Sequence, residues 1–448
     1  NTDIITIKGQ ASDQPVTDIT LDGFTYFGTK RTMFTVNQEG KEYIPLMRGD
    51  WCVVRAGAIY MENTRNIQVQ NSQFLEMGGN GIFMYGYNDK NKINNSEFIN
   101  IGATAVQVVG NPVAAREASF WDHALYPDLQ VHKTSVAFPE LIGPATEDYP
   151  RDIEITNNHM ENLGIFEKQS CGVNLSVSSR VKILHNTIHK SARSCVNVND
   201  GTFGGHEIAY NDIYNAQLET TDHGPFNSWG RDRFWSVPKY NASGQSGEVI
   251  RHYEKDGKTY DLALIDAYQT NKIHDNRFQH NSDAAHTWGI DLDDGSSNYE
   301  IYNNLCLGLG IKLREGFNRK VYNNIILDGQ FQIHVSYTEA KDEIHSNIVA
   351  NSTPYGFASV NESRFKKAEY AVDQNWYFDY GAKINLPAWF YTNKTSNSFD
   401  KNALIDVSPE FKNPRGNDYT VQNEEGMKQT GFENFPMDQF GKPGCDCK

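Results

Sequence analysis

The sequence predicts an all-β fold, a single-stranded right-handed parallel β-helix. A short motif recurs along the chain, in which β-branched or aromatic residues alternate with polar ones and lead into Asn and then an apolar residue. Helical periodicity is nearly absent. A coil of short strands cannot bury its inner face alone, so such repeats stack. The motif places its Asn at Asn71, Asn95, Asn158, Asn186, Asn211, Asn276, Asn304, Asn324 and Asn347.

The spacing of these Asn residues matches the length of one coil. Successive gaps are 24, 63, 28, 25, 65, 28, 20 and 23 residues. Six gaps fit one coil each, and the two long gaps indicate coils that carry an insertion. Asn tolerates the left-handed backbone conformation at a tight bend, and stacked amides can hydrogen-bond from coil to coil. We therefore expect Asn to mark the same bend in each coil.

The domain organisation follows from the same repeat. Residues 1–350 are predicted to form the β-helix, with insertions at about 110–150 and 213–262. Residues 351–448 are predicted to hold the last coils, a cap and a loop-rich extension. Long excursions from a rigid scaffold often carry function, although surface decoration or an oligomer contact would also explain them.

Composition excludes several classes of partner. The chain has 56 acidic and 41 basic residues, a formal net charge of −15, which disfavours nucleic-acid binding through phosphate neutralisation. An anionic polymer is disfavoured too, unless a bound cation mediates. We find no apolar run of the ~18 residues that a membrane helix needs, so no membrane partner is predicted. The six Cys residues do not form a disulfide framework.

Alignment of two neighbouring coils predicts a cluster of charged residues. Residues 289–295 match residues 310–316 position for position, with apolar residues pointing inward. Asp291 and Asp293 then point outward over Lys312 and Arg314, and Asp294 and Glu315 meet at the turn. The same outward columns contain Asn197, Asn199, Asp200, Gln332 and His334.

Crowded carboxylates repel one another, which pushes their pKa values apart and creates an acid beside a nucleophile. Coils stack roughly 4.8 Å apart, close to the ~5–5.5 Å carboxyl separation of retaining glycosidases. We assign Asp293, next to Arg314, as nucleophile and Glu315 as general acid/base. Asp291 and Asp294 are the alternatives for either role. Inversion follows instead if the partner is Asp222 or Asp232.

The second insertion supplies further candidates for substrate contact. It is predicted to fold back beside the acidic cluster and to bring aromatic rings on which sugars stack. The residues predicted to bind substrate are His223, Trp229, Arg231, Asp232, Trp235, Trp288, Lys312, Arg314 and His334.

Four other interpretations remain open at this point. The cluster could be a structural salt-bridge ladder, or a calcium site, because Asp-x-Asp-Asp-Gly offers hard oxygen ligands. A polysaccharide lyase would use Lys312, Arg314 or His334 as base, with calcium on a uronate. A non-catalytic carbohydrate-binding β-helix would explain the aromatic residues but not the acids. The hydrolase interpretation requires no cofactor, and calcium is the one ion that the sequence suggests.

Several long segments resemble bacterial parallel β-helix glycoside hydrolases, most closely glycoside hydrolase family 141, with family 120 as a relative. They are PLMRGDWCVVRAGA (45–58), MGGNGIF (77–83), DHGPFNSWGRDR (222–233), IDLDDGSSNY (290–299) and KLREGF (312–317), and the likeness extends from about residue 7 to residue 347. It implies action on plant cell-wall glycans, as an α-L-fucosidase or xylanase for the first family and a β-xylosidase for the second.

The resemblance also bears on the catalytic pair. In family 120 an Asp and a Glu on neighbouring coils act as nucleophile and acid/base, which matches Asp293 and Glu315. In family 141 the pair is two Asp residues, which keeps Asp291, Asp222 and Asp294 as candidates. Members usually carry a β-sandwich near the N-terminus that is missing here, so we expect this chain to be part of a longer protein. A secreted or periplasmic location is expected, because large glycans are met there.

Overall fold

The structure is a computed structural model in which most regular elements are β-strands. The described residues include three short antiparallel pairs, two of which are His252–Lys255 with Lys258–Asp261 and Leu46–Arg48 with Trp51–Val53. None of the helices in the described part of the chain is long and apolar enough to cross a bilayer. The structure describes residues 3–32, 46–48, 51–116, 140–199, 203–229, 251–280, 288–293, 295–314, 316–333, 339–351, 370–381, 383–386, 390–391 and 399–445.

Three parallel sheets form the body of the molecule, and each coil contributes one strand to each sheet in turn. Because every strand pairs with its counterparts in the preceding and following coils, the strand order confirms the predicted parallel β-helix. The first sheet contains Ile5–Lys8, Ile59–Arg65, Ile82–Asp89, Val106–Val109, Val173–Ser176, Val196–Asn199, Phe226–Ser228, Ile290–Leu292, Ile311–Leu313 and Phe331–Ile333, with Val16–Thr17 and Pro150–Arg151 paired at its side.

The second and third sheets follow the same order. The second sheet contains Thr20–Asp22, Gln68–Gln70, Lys92–Asn94, Glu154–Thr156, Lys182–Leu184, Glu207–Ala209, Asn271–His274, Tyr299–Tyr302, Arg319–Tyr322, Asp342–His345 and Tyr370–Asp373. The third sheet contains Thr25–Phe27, Gln73–Met77, Glu97–Ile101, His159–Leu163, Thr187–Ser191, Asp212–Tyr214, Arg277–Gln279, Leu305–Leu307, Ile325–Leu327, Ile348–Ala350, Trp376–Phe378 and Leu404–Ile405.

Alternation of side chains along each strand fills the interior. In Gln68–Gln70, for example, Val69 is buried between two half-buried glutamines, and Ile155 lies the same way in Glu154–Thr156. Inward residues from all three sheets join one continuous apolar core along the coils. The first sheet differs, because strands such as Val196–Asn199 are buried on both faces.

Asn residues occupy two adjacent columns where the second sheet turns into the third. The first column has a left-handed backbone, as at Asn71 (φ 51°) and Asn303 (φ 55°). The second column is buried, and each amide donates to the next at 2.9–3.1 Å. This Asn ladder consists of Asn158, Asn186, Asn211, Asn276, Asn304, Asn324, Asn347 and Asn375, and it ends on Asp400.

We expected one Asn in each coil both to make the left-handed bend and to join the amide ladder. That expectation was wrong, because two adjacent residues divide these roles. Asn71 and Asn95 belong to the left-handed column, and Ser72 and Ser96 take the ladder position in those coils. In later coils the ladder Asn is the motif residue, and the residue before it, such as Asn323 (φ 55°), makes the bend.

Both predicted insertions leave the coils between the first and second sheets. The first follows Val106–Val109, and the second runs from Ser228 to Asn271 rather than from residue 213. Phe226–Ser228 lies inside the predicted insertion but forms a strand of the first sheet, between Val196–Asn199 and Ile290–Leu292. The described parts of the insertions touch each other, since Lys255 Nζ lies 3.1 Å from Glu140 Oε1.

The C-terminal extension packs on the outer face of the third sheet. Late strands such as Ile325–Leu327 are apolar on both faces. Their outer face is buried because residues of the extension, including Phe432 and Phe435, pack against it. Farther along, Gly441 N donates to Tyr210 O at 2.7 Å and Lys442 N to Thr187 Oγ1 at 3.0 Å. The extension contains the strands Phe411–Asn413 and Asp418–Val421, the 3-10 helix Pro414–Gly416 and the α-helix Glu424–Thr430; further 3-10 helices are Pro112–Ala114 and Leu262–Leu264.

Candidate active site

The predicted charged cluster lies on the first sheet, on the side opposite the core. Ile290 and Leu292 belong to the apolar core, and Asp291 between them faces the other way. Its strand pairs with Ile311–Leu313 so that Asp291 lies beside Lys312, as the coil alignment predicted. The column is nevertheless buried rather than open to solvent, since Asp291 is 0% and Asp293 6% exposed.

Lys312 joins the two aspartates. Its Nζ lies 2.9 Å from Asp291 Oδ1 and 3.5 Å from Asp293 Oδ1. The same Nζ lies 4.2 Å from the centre of the Trp288 ring, a cation–π contact in a desolvated place. Burial works against the ammonium, but Asp291 and Asp293 outweigh it and raise the pKa of Lys312. Lys312 therefore remains a cation at neutral pH.

Asp291 and Asp293 differ in acidity because their surroundings differ. Burial raises the pKa of Asp291 to about 7, although Lys312 opposes the shift; the charge of Asp293 adds to it. At Asp293 burial is outweighed by the cations Lys312 and Arg314, which lower its pKa to about 2. Arg314 Nη1 donates to Asp293 Oδ1 at 2.9 Å. One carboxyl is thus fixed as an anion beside another that can hold a proton near neutral pH.

His223 closes the other side of Asp293. Its Nε2 lies 3.9 Å from Asp293 Oδ2, and Arg193 Nη2 lies 2.6 Å from its Nδ1. Burial and the neighbouring Arg193 lower the pKa of His223 to about 3, so the ring is neutral. Arg193 Nη2 also lies 3.1 Å from His223 Nε2, so the guanidinium contacts both nitrogens of the ring.

The strand Phe226–Ser228 brings the second insertion's residues to the cluster. His223 precedes this strand and Trp229 follows it, and Asn227 within it pairs directly with Asp291. Asp222 is exposed with φ 82°, and its charge contributes to the raised pKa of Asp291. Sequence reasoning missed Asn227, although the spacing of Val196 and Ile290 leaves room for one more strand.

The predicted exposed aromatic platform is not found at Trp229 and Trp288. Trp229 is 2% and Trp288 7% exposed. Trp229 Nε1 donates to Asn227 Oδ1 at 3.0 Å, and its ring lies nearly parallel to that of His223 with centroids 6.3 Å apart. Both indoles pack against the charged cluster. The N–H of Trp229 is bonded to Asn227, and the ring face of Trp288 contacts Lys312 Nζ. Their role in binding substrate remains a prediction.

A row of amides leads along the first sheet to the aspartates. Asn174 Nδ2 donates to Gln107 Oε1 and Asn197 Nδ2 to Asn174 Oδ1, both at 2.8 Å. The row then breaks: within the described residues, Asn197 Oδ1 and Asn227 Nδ2 are buried without a hydrogen-bond partner. A buried acceptor and donor left unpaired cost about 1–3 kcal/mol each.

A buried ion pair supports the cluster from the next sheet. Arg319 and Asp342 are fully buried, with Nη2 2.6 Å from Oδ2 and Nε 3.0 Å from Oδ1. Arg319 Nη1 also donates to the carbonyl of Arg314. The backbone that carries Arg314 toward Asp293 is thereby tied to the second sheet.

Six predicted site residues lie outside the part of the chain that the structure describes. They are Asp294, Glu315, Arg231, Asp232, Trp235 and His334. The described residues bring together Asp291, Asp293, His223, Lys312 and Arg314. They do not fit a calcium cage, because ammonium and guanidinium groups already contact Asp291 and Asp293 where Ca²⁺ would need 6–8 oxygen ligands.

Comparison with known proteins gives no family for this chain. No family model matches the sequence, and no curated protein matches it significantly. Solved structures with a related fold include one described as a glycoside hydrolase, with 12% identity over 70% of this chain and 48% of that chain and a TM-score of 0.45. The structure of XylC with xylose covers 79% of this chain and 50% of that one, with 11% identity and a TM-score of 0.34.

The tailspike protein of E. coli bacteriophage HK620, in complex with a pentasaccharide, covers 72% of this chain and 51% of that one, with 10% identity and a TM-score of 0.32. The chain thus spans about half the length of each of these proteins. At TM-scores this low the likenesses carry no argument about activity.

Proposed function

We propose that this chain is a glycoside hydrolase that cleaves a plant cell-wall polysaccharide or oligosaccharide with a pair of carboxylates. The observation that carries the proposal is the pair Asp291 and Asp293, which both contact Lys312 Nζ and whose pKa values are shifted in opposite directions. Glycosidases need one carboxyl as an anion and another as an acid. Burial and two cations supply that difference here.

Asp293 is the anion. Contacts with Arg314 and Lys312 keep it ionised at any pH at which a glycan would be hydrolysed. Such a carboxylate stabilises the positive charge that develops on the sugar ring, or attacks the anomeric carbon directly. His223 lies beside its second oxygen and limits the directions from which a substrate approaches.

The second carboxyl is Asp291 or Glu315. Asp291 holds a proton near neutral pH because it is buried, which suits a general acid. Both aspartates contact the same Nζ, so Asp291 Oδ1 and Asp293 Oδ1 are at most about 6.4 Å apart. Carboxyl groups are ~5–5.5 Å apart in retaining enzymes and ~6.5–9.5 Å apart in inverting ones, and we propose retention because strands of adjacent coils stack about 4.8 Å apart. Glu315, the acid that the coil alignment predicted, lies outside the described residues and remains the other candidate for this role.

The substrate class is a neutral glycan. The net charge of −15 repels uronates, and the unpaired Asn197 Oδ1 and Asn227 Nδ2 suit sugar hydroxyls, which both donate and accept. Xylan, xylo-oligosaccharides and fucosylated side chains are the substrates to which the resemblance to families 141 and 120 points. We propose that the protein acts outside the cytoplasm, where these polymers occur.

A calcium-dependent polysaccharide lyase is less well supported. Its base would have to be deprotonated, whereas the pKa of Lys312 is raised and Arg314 is paired with Asp293. A structural salt-bridge ladder and a non-catalytic sugar-binding β-helix are compatible with the buried ion pairs. Neither alternative includes catalysis. Each therefore predicts that the parent protein has no hydrolase activity and that loss of a carboxylate changes only stability or sugar binding.

The test is an activity screen on xylan, xylo-oligosaccharides, fucosylated glycans and pectin, with and without chelator. It reads new reducing ends and the absorbance of unsaturated products side by side. We expect reducing ends without absorbance and no effect of chelator. Absorbance that disappears with chelator would establish the lyase instead. If neither reducing ends nor absorbance increases, a non-catalytic carbohydrate-binding protein is favoured.

Variants connect any activity to the cluster. We expect Asp293→Asn to lower kcat by about 10³-fold or more while the protein stays folded. Azide should restore turnover to Asp293→Ala if a covalent intermediate forms. Glu300→Gln is the control, because Glu300 lies in the next strand along the chain but on the second sheet. Full activity of Asp293→Asn would reject the assignment.

A further inference from the structure

Two histidines and a glutamate meet on the outer face of the third sheet, away from the candidate active site. His159 and Glu161 lie on the strand His159–Leu163, and His189 lies on Thr187–Ser191 in the next coil. The register pairs Glu161 directly with His189. Alternation along the strand places His159 and Glu161 on the same face, because Met160 between them points into the core.

The three ligand atoms lie within 4 Å of one another. His159 Nε2 and His189 Nε2 are 2.9 Å apart, and Glu161 Oε2 is 3.7 Å from the first and 3.9 Å from the second. Around a tetrahedral ion with bonds of 2.0–2.2 Å, ligand atoms are separated by about 3.4 Å. The observed separations lie on both sides of that value, so small side-chain shifts would complete the geometry.

The surroundings hold these side chains in place. Lys190 Nζ contacts Glu161 Oε1 at 2.6 Å, which leaves Oε2 facing the imidazoles. Tyr214 stacks on His189 with ring centroids 4.5 Å apart and fixes the plane of that ring. Metal sites need such outer contacts to orient their ligands.

We propose that His159, Glu161 and His189 form a binding site for a divalent transition-metal ion of the Zn²⁺ type. Imidazole and carboxylate are the ligands that Zn²⁺ takes, and two His with one Glu leave a fourth position for water. The site would join two neighbouring coils across the third sheet. It is independent of the hydrolase proposal, since it lies on a different sheet from Asp291 and Asp293.

The competing arrangement is a pair of imidazoles that share one proton. Two neutral rings whose nitrogens face each other satisfy one hydrogen bond without any ion. Stacked His and Tyr rings also line the second sheet, for example at Tyr322 and His345, whose centroids are 5.3 Å apart. The third-sheet cluster differs from that ladder in having a carboxylate oxygen within 4 Å of both Nε2 atoms.

The experiment uses the full chain after treatment with chelator and dialysis. Zn²⁺ is titrated by calorimetry, and Co²⁺ is added as a spectroscopic probe whose visible absorption reports tetrahedral coordination. We expect one equivalent bound at a site with tetrahedral Co²⁺ absorption. Zn²⁺ should also raise the Tm, because a ligand that binds only the folded state stabilises it.

Variants identify the site. His189→Gln and Glu161→Gln should weaken Zn²⁺ binding by about 100-fold or more, since loss of a direct ligand costs at least as much as loss of an outer contact. His345→Gln, which removes a stacked histidine from the second sheet, should bind Zn²⁺ as the parent does. Asp293→Asn should also retain binding. The proposal is overturned if the parent takes up no Zn²⁺, or if His189→Gln binds it equally well.

Discussion

Arg319 donates a hydrogen bond from Nη1 to the carbonyl oxygen of Arg314, at 2.5 Å. Arg319 is itself held by Asp342, with both side chains completely buried. A chain of contacts therefore connects Asp342, through Arg319, to the backbone of Arg314, whose side chain donates a hydrogen bond to Asp293. The predicted charged cluster is thus anchored in the fold rather than laid on its surface.

Asp342→Asn should destabilise the protein by about 3–5 kcal/mol, because it leaves the Arg319 guanidinium buried without a counter-charge. Urea unfolding followed by circular dichroism measures the change. The matched control is Lys320→Gln, which removes the exposed partner of Glu343 on the same two strands, where Lys320 Nζ lies 3.6 Å from Glu343 Oε1. That change should cost under about 1 kcal/mol. If both variants lose the same free energy of unfolding, burial does not determine how much an ion pair contributes to stability.

The raised pKa of Asp291 predicts the pH dependence of turnover. An acid with a pKa of about 7 donates its proton below that value and loses it above. We expect kcat/KM to fall as pH rises through about 7, while Asp293 stays ionised throughout. An Asp291→Asn variant that retains activity and the same alkaline limb would move the acid role to Glu315.

The same carboxyl should make stability depend on pH. Asp291 binds its proton more tightly when folded than when unfolded, where its pKa is about 3.9, so its contribution decreases as pH rises from about 4 to about 7. Asp293 has the opposite shift, and its contribution is lost only as pH falls from about 4 toward 2. Relative to the parent, Asp291→Asn should therefore lose less stability between about pH 4 and pH 8. Thermal scans at both ends of that range give the comparison.

Asn227→Leu should weaken substrate binding more than folding. Its Nδ2 has no partner within the described residues, so the folded state loses only the bond from Trp229 to Oδ1. We expect KM to rise about tenfold, the value of one hydrogen bond of about 1.4 kcal/mol. Asn174→Leu serves as the control, because Asn174 is bonded on both sides in the same column. It should lower stability and leave KM unchanged; the reverse pattern would refute a binding role for Asn227.

Asn324→Ala should be among the more damaging changes in the β-helix. The Asn324 amide donates to Ile301 O and to Asn347 Oδ1, and it accepts from Asn304. Its loss leaves several buried groups unpaired, each at about 1–3 kcal/mol.

The comparison for Asn324→Ala is Asn71→Gly in the left-handed column. Glycine adopts φ 51° without strain, so this change should cost no more than about 1 kcal/mol. Chemical denaturation of the two variants ranks the columns, and a stable Asn324→Ala protein would show that the amide ladder is dispensable.

Much of this architecture follows from the sequence because each coil repeats one physical solution. The Asn motif predicted the stacking of coils, and equal lengths of residues 289–295 and 310–316 predicted that Asp291 meets Lys312. The strand Phe226–Ser228 was missed, because three residues without the motif and after a Pro give no periodic signal. Burial of the charged column was missed as well, since alternation tells which side a residue faces and not what covers that side.

The one-residue offset between the two Asn columns has the same kind of cause. Asn suits both a left-handed bend and a buried amide stack, so composition cannot separate Asn323 from Asn324. The cluster of His159, Glu161 and His189 needs the register between two coils, which the sequence fixes only once the exact length of each turn is known.

The path of the C-terminal extension has a consequence for how the molecule comes apart and comes together. Solenoids in which each repeat touches only its neighbours can fray from one end. Here Gly441 and Lys442 are bonded to Tyr210 and Thr187, coils made more than two hundred residues earlier in synthesis. Strands such as Ile325–Leu327 keep an uncovered apolar face until the extension has been made. The extension thus connects early coils to late ones. We expect the coils to form in order of synthesis and to unfold as one cooperative unit only after the extension has packed against them.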